Sequence, residues 1–320
     1  MTANTESRFQ LVTQSSFDGL TCAMLLREVG LVEEVSFIHP NDMKNGKATI
    51  TGQNITAGLP YDEAVHLAFD HHISEAERFE HSPDRWNGKR TNHVLDTAAP
   101  SSARVIYRYY GGRQKVPDIS EDMLQAVDRS DSGNYRRADI LAPRGWTMLN
   151  FLLDQRTGLA QFQDFRTSHR DFLLGMISYC RNHTIEDILS HPDVKERMEL
   201  YWDHHYNFID QLERCSHQDG NVVILDLRNQ QPIYVGNRFM IYALYPAATV
   251  SIQITRTADE KSTVFAVRKS NLNRKSFAHI GSIMLEHGGG GHDTAGTCQI
   301  DSDHVMSALE KVVKRINAAG

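Results

Sequence analysis

The sequence has no long apolar run. The longest, such as Phe151 to Leu153 and Val222 to Leu225, are far shorter than the roughly 20 residues of a membrane-spanning helix. The first stretch, Met1 to Arg8, is polar and has neither an apolar segment nor a small-residue cleavage site, which argues against export. We therefore expect a cytoplasmic protein with no membrane partner.

Cysteine and net charge are also limited. The four cysteines, Cys22, Cys180, Cys215 and Cys298, are widely separated, so the sequence suggests neither a zinc knuckle nor a disulfide framework. The net charge of -6 gives no global attraction to nucleic acid, although a local basic patch can still bind phosphate. Histidine, by contrast, is abundant, with 16 residues, several of them beside aspartate. These clusters indicate where to look for chemistry.

Short apolar runs alternate with amphipathic stretches in the first half of the chain. In chain order, these segments are Phe9 to Thr13, Thr21 to Val29, Val35 to Ile38, Val65 to Phe69 and Ser101 to Tyr110. This alternation is typical of an α/β domain with a largely parallel sheet. Pro100 before Ser101 and Ser102 predicts a helix start, and Gly111-Gly112 predicts the end of that helix.

The second half of the chain has a different pattern. Residues 184–217 form a polar stretch with helical character, interrupted only at Pro192, which suits a connector. Beyond it, Thr249 to Thr255 and Thr263 to Val267 predict an antiparallel pair of strands. A chain of 320 residues is also too long for one comfortable core. We predict a two-domain α/β protein: a parallel-sheet domain over 1–185, a helical linker over 186–220 and a smaller mixed-sheet domain over 221–320.

The triplet Asp70-His71-His72 directly follows the apolar run Val65 to Phe69. Residues just past the carboxyl end of a parallel strand face the ligand crevice, so a carboxylate and two imidazoles there suit a divalent ion and a phosphate. A polar turn that merely caps the strand is equally compatible with the triplet alone. A second copy, Asp203 to His205, lies in a helical stretch, where consecutive side chains diverge by about 100°. We therefore predict that the second copy lies on the surface and binds nothing.

The segment Thr13 to Gly19 follows the first strand and precedes a helix, which places Asp18 at the same sheet edge as Asp70. Taken alone, Asp18 and Gly19 favour a simple Asp-Gly turn.

A run of four glycines, Gly288, Gly289, Gly290 and Gly291, precedes His292. Glycines leave backbone amides unobstructed, so the run predicts a loop that wraps an anion, with His292 as a further donor. A flexible turn is the alternative. Arg268 and Ser270, which close a predicted strand, could supply charged and neutral donors to the same anion.

Taken together, the order and spacing of these motifs resemble the DHH phosphoesterase superfamily with its DHH-associated carboxyl-terminal domain. The resemblance rests on Asp18-Gly19, on the triplet at residues 70–72, on the segment Asp128 to Gly133, and on GGGGH followed by Ala295-Gly296. It spans nearly the whole chain. The stretches NITAGLPYDEAVHLAFDHH, SSARVIYRYYGG and LNFLLDQRTGL look closest to members described as exopolyphosphatase-related, and the superfamily also contains oligonucleotide phosphodiesterases.

The resemblance implies a role for each motif. It assigns Asp18, His71 and Asp131 to a divalent ion, Mn²⁺ or Mg²⁺. It assigns Asp70 to orienting the site and His72 to approaching the substrate phosphate. The substrate-phosphate contacts it implies in the second domain are Arg268, Ser270, Gly288, Gly289, Gly290, Gly291 and His292.

Active relatives hold two ions, which activate water for attack on phosphorus. At the positions of their other ligands this chain has Gln14, Ser16 and, by the resemblance, Asn54. The two carboxylates of Asp18 and Asp131 can neutralise one divalent ion but not two. We therefore expect one ion per chain, and slow turnover or none.

Three functions stay open at this point. The first, which we favour, is a metal-dependent phosphoesterase acting on a nucleotide, a short oligonucleotide or polyphosphate. The second is a non-catalytic nucleotide or phosphate binder of the same fold. The third is a nucleic-acid binder that uses Arg268, Lys269, Arg274 and Lys275, against which stands the lack of interleaved aromatic residues. The oligomeric state, with a homodimer as one alternative, is also open.

Overall fold

The computed structural model describes residues 9–44, 46–80, 91–257 and 261–320. The chain divides into two compact units. The N-terminal unit comprises Met1–Asn134, Arg144–Gln155 and Leu159–Met198. The C-terminal unit comprises Tyr135–Pro143, Arg156–Gly158 and Glu199–Gly320.

The N-terminal unit contains a five-stranded sheet in the order β2-β1-β3-β4-β5, and every neighbouring pair is parallel. The strands are β1 Phe9–Thr13, β2 Val32–Phe37, β3 Asn54–Ala57, β4 Leu67–Asp70 and β5 His93–Leu95. A parallel sheet aligns the carboxyl ends of its strands at one edge, and the register places Thr13 beside Ala57 and Ala57 beside Phe69. The polar residues that follow these strands are thereby collected at that edge.

The helices have the following bounds, with α6 in the C-terminal unit and α10 divided between the two units. They are α1 Phe17–Glu28, α2 Pro40–Lys44, α3 Ile73–Glu80, α4 Ser102–Tyr109, α5 Glu121–Asp131, α6 Arg137–Leu141, α7 Gly145–Leu153, α8 His169–Asn182, α9 Ile185–Ser190, α10 Pro192–Cys215, α11 Met240–Leu244, α12 Ile280–Leu285 and α13 Val305–Asn317. Among the described residues, none of these helices is long and apolar enough to cross a membrane.

Helix α1 is the central helix of the N-terminal unit. Its residues from Phe17 to Leu26 are all buried, which explains why this segment is apolar on nearly every side. Helix α4 starts where the sequence predicts: Ser101 is its N-cap and accepts a hydrogen bond from the backbone N–H of Arg104. Beyond its C-cap, Gly111 has a φ of 89°, which glycine adopts without strain.

The C-terminal unit contains a six-stranded mixed sheet in the order β10-β11-β9-β8-β7-β6. The strands are β6 Ser216–Asp219, β7 Val222–Asp226, β8 Val250–Arg256, β9 Ser262–Lys269, β10 Gly290–Gly291 and β11 Ala295–Asp301. Only β7 and β8 are parallel among these pairs of described strands. The core includes buried side chains of α12, α13 and the central strands. The predicted α/β class, with one parallel and one mixed sheet, is confirmed.

Candidate metal centre

Three side chains from distant parts of the sequence converge at the carboxyl edge of the parallel sheet. Asp18 lies in the first turn of α1, His71 directly follows β4, and Asp131 is the last residue of α5. One ligand atom from each lies within 4.8 Å of the others. Two carboxylates and an imidazole form a donor set that suits a small divalent cation. The structure thus brings together the three residues that the resemblance assigns to a metal ion.

The charges of this cluster are mutually dependent. Burial, and then repulsion from Asp131, raise the pKa of Asp18 to about 7. Burial alone would lower the pKa of His71, but the hydrogen bond and the charge of Asp131, together with the charge of Asp18, outweigh burial and raise it. The Nε2 atom of His71 lies 2.8 Å from Oδ2 of Asp131. Two close carboxylates repel each other, and a bound cation would remove that repulsion. The residues present therefore fit a divalent ion.

Asp70 is buried and orients the residues that follow it. Its Oδ1 accepts hydrogen bonds from the backbone N–H of His71 at 2.7 Å and of His72 at 3.2 Å, and lies 2.6 Å from Nδ1 of His72. Its Oδ2 is buried and has no hydrogen-bond partner within the described residues. Burial would lower the pKa of His72, but the hydrogen bond and charge of Asp70 raise it to about 9. The His72 side chain is 39% exposed, so its ring is accessible to a ligand.

The first turn of α4 adds two contacts that sequence reasoning missed. The backbone N–H of Ala103 donates to Oδ1 of Asp18 at 2.8 Å. The hydroxyl of Ser102 lies 3.0 Å from Nδ1 of His71. The only sequence signal was the helix start at Pro100 to Ser102, which locates the end of a helix without indicating what that end contacts.

Gln14 and Ser16 contribute no carboxylate and have structural contacts of their own. The side-chain amide of Gln14 donates to the carbonyl of Gly58. The hydroxyl of Ser16 accepts a hydrogen bond from the backbone N–H of Gly19 at 3.1 Å and caps α1. Both residues therefore organise the loop that precedes α1 and Asp18.

The expectation that Asn54 stands at the position of a bridging ligand is wrong. Asn54 is the first residue of β3 and pairs with Gln10, whereas Asp18 lies near the other end of the strands. Three residues of strand correspond to about 10 Å, too far for a shared ion. Asn54 Oδ1 instead accepts hydrogen bonds from Thr51. The residue that follows β3 at the correct edge is Gly58, where a Cβ would lie 3.5 Å from Asp18 Oδ2.

In the C-terminal unit, the four glycines do not form an open loop. The backbone N–H groups of Gly288 and Gly289 donate to carbonyls at the end of α12, and that of His292 donates to Ala295. Gly290 and Gly291 form β10, paired with β11. These three amides are therefore engaged within the protein, which corrects the expectation of an unobstructed anion loop.

Close backbone approach explains the glycines instead. A Cβ at Gly289 would lie 2.1 Å from the carbonyl oxygen of Thr297, and one at Gly291 would lie 2.2 Å from that of Ala295. Gly281 packs against the same segment, since its Cβ would lie 2.6 Å from the backbone of Gly291. The run of small residues thus allows β10 to lie against α12 and β11.

Arg268 lies near the end of β9, and Ser270 directly follows that strand. Ser270 is buried, and its hydroxyl accepts hydrogen bonds from the backbone N–H groups of Leu272 at 3.2 Å and Asn273 at 2.9 Å. These bonds stabilise the turn after β9. The hydroxyl of Tyr242 donates to the carbonyl of Arg268 at 2.8 Å, which fixes the backbone at that position.

The second Asp-His-His copy lies on α10, as predicted. Its middle residue has a structural role that was not foreseen: Nδ1 of His204 accepts a hydrogen bond from the backbone N–H of Val235 at 3.1 Å. Within the described residues, the copy is not among the groups whose side chains converge as metal ligands would.

The parallel sheet, with three candidate metal ligands at its carboxyl edge, agrees with the class of α/β phosphoesterases that the sequence resembles. Comparison with known proteins gives no match to a family model and none to a curated protein. Among solved structures, a pGpG-specific phosphodiesterase, PggH from Vibrio cholerae, is 42% identical, with 98% of this chain and 100% of that chain covered and a TM-score of 0.81.

The DHH domain of a protein described as a member of a family of ribosomal proteins matches at 14% identity, with 98% of this chain and 88% of that chain covered and a TM-score of 0.57, which shows the fold. The chain belongs to the DHH phosphoesterase superfamily. The predicted superfamily is therefore confirmed, and so, at the level of the family, is the prediction of a phosphoester hydrolase.

Proposed function

We propose that this chain is a metal-dependent phosphodiesterase that hydrolyses a short linear dinucleotide such as pGpG. The convergence of Asp18, His71 and Asp131 on one point carries the proposal. It is supported by 42% identity, over the whole length, to a protein described as a pGpG-specific phosphodiesterase. The reaction adds one water across the central phosphodiester bond and releases two molecules of GMP.

The proposal includes one divalent ion per chain, either Mn²⁺ or Mg²⁺. When bound, the ion would supply Lewis acidity toward water and toward the phosphoryl oxygens. Asp18 and Asp131 would neutralise its charge, and His71 would be the third protein ligand. Gln14 and Ser16 are uncharged and Gly58 has no side chain, so these three positions offer no carboxylate for a second ion.

His72 acts on the substrate phosphate in this proposal. Its pKa of about 9 keeps the ring protonated at neutral pH, and its partial exposure leaves the ring accessible. A protonated imidazole beside a phosphodiester donates a charge-assisted hydrogen bond to a phosphoryl oxygen. Asp70 holds the ring by Nδ1, so Nε2 is the atom that donates.

Arg268 and His292, both in the C-terminal unit, bind phosphate in this proposal. Arginine binds phosphate oxygens in a fixed fork geometry, and the carbonyl of Arg268 is anchored by Tyr242. The glycines at residues 288–291 serve this contact by setting the path of the backbone toward His292. Ser270 serves it by stabilising the turn beyond β9.

The direct test is hydrolysis of pGpG in Mn²⁺, with the products separated by chromatography. We expect GMP as the only product, and no GMP from a His71→Ala variant. His205→Ala, a substitution in the second triplet, is the matched control and should leave the rate unchanged. Tight binding of pGpG without cleavage would instead show a non-catalytic binder. Faster release of phosphate from polyphosphate than of GMP from pGpG would show an exopolyphosphatase.

A further inference from the structure

The start of α4 contacts two of the three residues assigned to the ion. Ser102 and the preceding N-cap residue, Ser101, are both 0% exposed. The Ser102 hydroxyl meets Nδ1 of His71 at 3.0 Å, and the next residue, Ala103, donates its N–H to Asp18 at 2.8 Å. Two candidate ligands, one in α1 and one directly after β4, thus contact the same turn of α4.

This geometry fixes which nitrogen of His71 points to Asp131. Nε2 lies 2.8 Å from Oδ2 of Asp131, while Nδ1 faces the Ser102 hydroxyl. A histidine ligates a cation through an unprotonated nitrogen, and the partner of the other nitrogen determines the tautomer and the ring orientation. A hydroxyl that accepts from Nδ1–H leaves Nε2 available as the ligand.

The position of Ser102 is itself fixed by an ion pair behind the helix start. Arg104 donates two hydrogen bonds to Oδ2 of Asp128, at 2.9 Å and 2.6 Å. The Ser101 hydroxyl donates to Oδ1 of the same carboxylate at 2.7 Å and accepts from the N–H of Arg104 at 3.1 Å. Both oxygens of Asp128 are therefore occupied, so Asp128 stabilises the first turn of α4 and is not a spare metal ligand.

We propose that Ser102 is a positioning residue for the metal centre: its hydroxyl holds the Nδ1–H of His71 and so presents Nε2 to the ion. The inference rests on the proposed function, because it presumes that His71 ligates a divalent ion. It predicts that loss of the hydroxyl weakens metal binding without a matching loss of fold stability. Removing the hydrogen-bond partner of a metal-bound histidine typically costs on the order of 10- to 100-fold in metal affinity.

The first test uses the parent protein. Selective ¹⁵N-histidine labelling and NMR with Mg²⁺ bound report which ring nitrogen carries the proton, and a His71→Gln variant assigns the His71 signal. We expect a protonated Nδ1 and an unprotonated Nε2, and the reverse would overturn the inference. If the parent binds no ion, the proposed function fails. The tautomer of the neutral His71 ring can then still be read in metal-free protein at high pH. A proton on Nδ1 would support the inference, and a proton on Nε2 would contradict it.

The second test compares Ser102→Ala with Ser120→Ala, which removes the N-cap hydroxyl of the neighbouring helix α5. Mn²⁺ affinity is measured by calorimetry and Tm by thermal unfolding. We expect Ser102→Ala to bind Mn²⁺ at least 10-fold more weakly than Ser120→Ala at a similar Tm. Equal Mn²⁺ affinity in the two variants would contradict the inference. If Ser102→Ala does not fold, the tautomer of the parent protein decides.

Discussion

Nε2 of His71 lies 2.8 Å from Oδ2 of Asp131, although 60 positions separate the two residues in the chain. His71 follows β4 and Asp131 ends α5, so the contact depends on the packing of both elements against α4. With Asp18 it defines the point at which we place the divalent ion.

Replacement of Asp131 by asparagine should separate the effect of side-chain charge on metal binding from the effect of side-chain shape. Asn keeps the size of the side chain but removes one of two negative charges. We expect Mn²⁺ affinity, measured by calorimetry, to fall by roughly two orders of magnitude, because ligand charge sets the affinity of such sites. Asp122→Asn, an exposed change in the first turn of the same helix, should bind Mn²⁺ like the parent. Unchanged affinity in Asp131→Asn would remove this residue from the site.

The Asp70–His72 pair should give the metal-free protein a pH-dependent stability. Because the folded pKa of His72 is about 9 and its ordinary value is 6.5, the stabilisation is fully present below pH 6.5 and is lost as the pH rises through 9. The free energy of unfolding of the parent should therefore exceed that of His72→Gln by more at pH 7 than at pH 9.5. Denaturant titrations with a chelator measure both differences.

His205→Gln provides the control for this pH dependence, because burial lowers the pKa of His205 and the ring is neutral across that range. Its effect on the free energy of unfolding should be the same at pH 7 and pH 9.5. A His72→Gln difference that does not shrink with pH would show that Asp70 does not hold a protonated ring.

A second ion should become possible when carboxylates are placed at the correct edge of the sheet. We expect the combined variant Gln14→His, Ser16→Asp and Gly58→Asp to bind two Mn²⁺. Aspartate is an effective N-cap, so α1 keeps its start, and aspartate tolerates the positive φ of 63° at Gly58 better than most residues. The control combines Gln14→His and Ser16→Asp with Asn54→Asp.

This control adds the same charge at the opposite end of β3, and it should bind one Mn²⁺. Binding of two ions by the control, or of one ion by the Gly58→Asp combination, would contradict the account. It would show that the register of the sheet is not the reason why the parent binds a single ion.

Neighbouring glycines at the end of α12 should differ sharply in their tolerance of a methyl group. Gly289→Ala would place a Cβ 2.1 Å from a carbonyl oxygen, whereas Gly290→Ala meets nothing within 4 Å. We expect Gly289→Ala to lower the free energy of unfolding by roughly 2–3 kcal/mol and Gly290→Ala by about 0.5 kcal/mol or less. If both variants lost equally little stability but bound ligand more weakly, the result would instead support the hypothesis of an open anion-binding loop.

The sequence predicts those parts of the site whose position follows from the topology of the parallel sheet alone. Residues that follow parallel strands gather at one edge, and this rule locates Asp18 and the triplet Asp70 to His72 together without further information. Asp131 follows no strand, so only the resemblance to a family points to it. The boundaries of α4 were also predictable, because Ser101 and the glycines after Tyr110 are strong helix-end signals.

The failures share a physical cause. Asn54 was misplaced because a count of residues before the triplet does not give the register of β3, a strand of four residues that did not stand out as an apolar run. The role of the four glycines was misjudged because close backbone packing and an open anion loop require the same residue. The contact between Ser102 and His71 joins residues far apart in sequence, so no local pattern reports it.

The most direct measurement of the central claim is the number of Mn²⁺ ions bound per chain of the parent protein, by elemental analysis after removal of free metal. Asp18, His71 and Asp131 supply two negative charges, and Gly58 supplies no bridging carboxylate. We predict one ion per chain, lost in the His71→Ala variant. Two ions per chain, or one ion that persists in His71→Ala, would contradict the account.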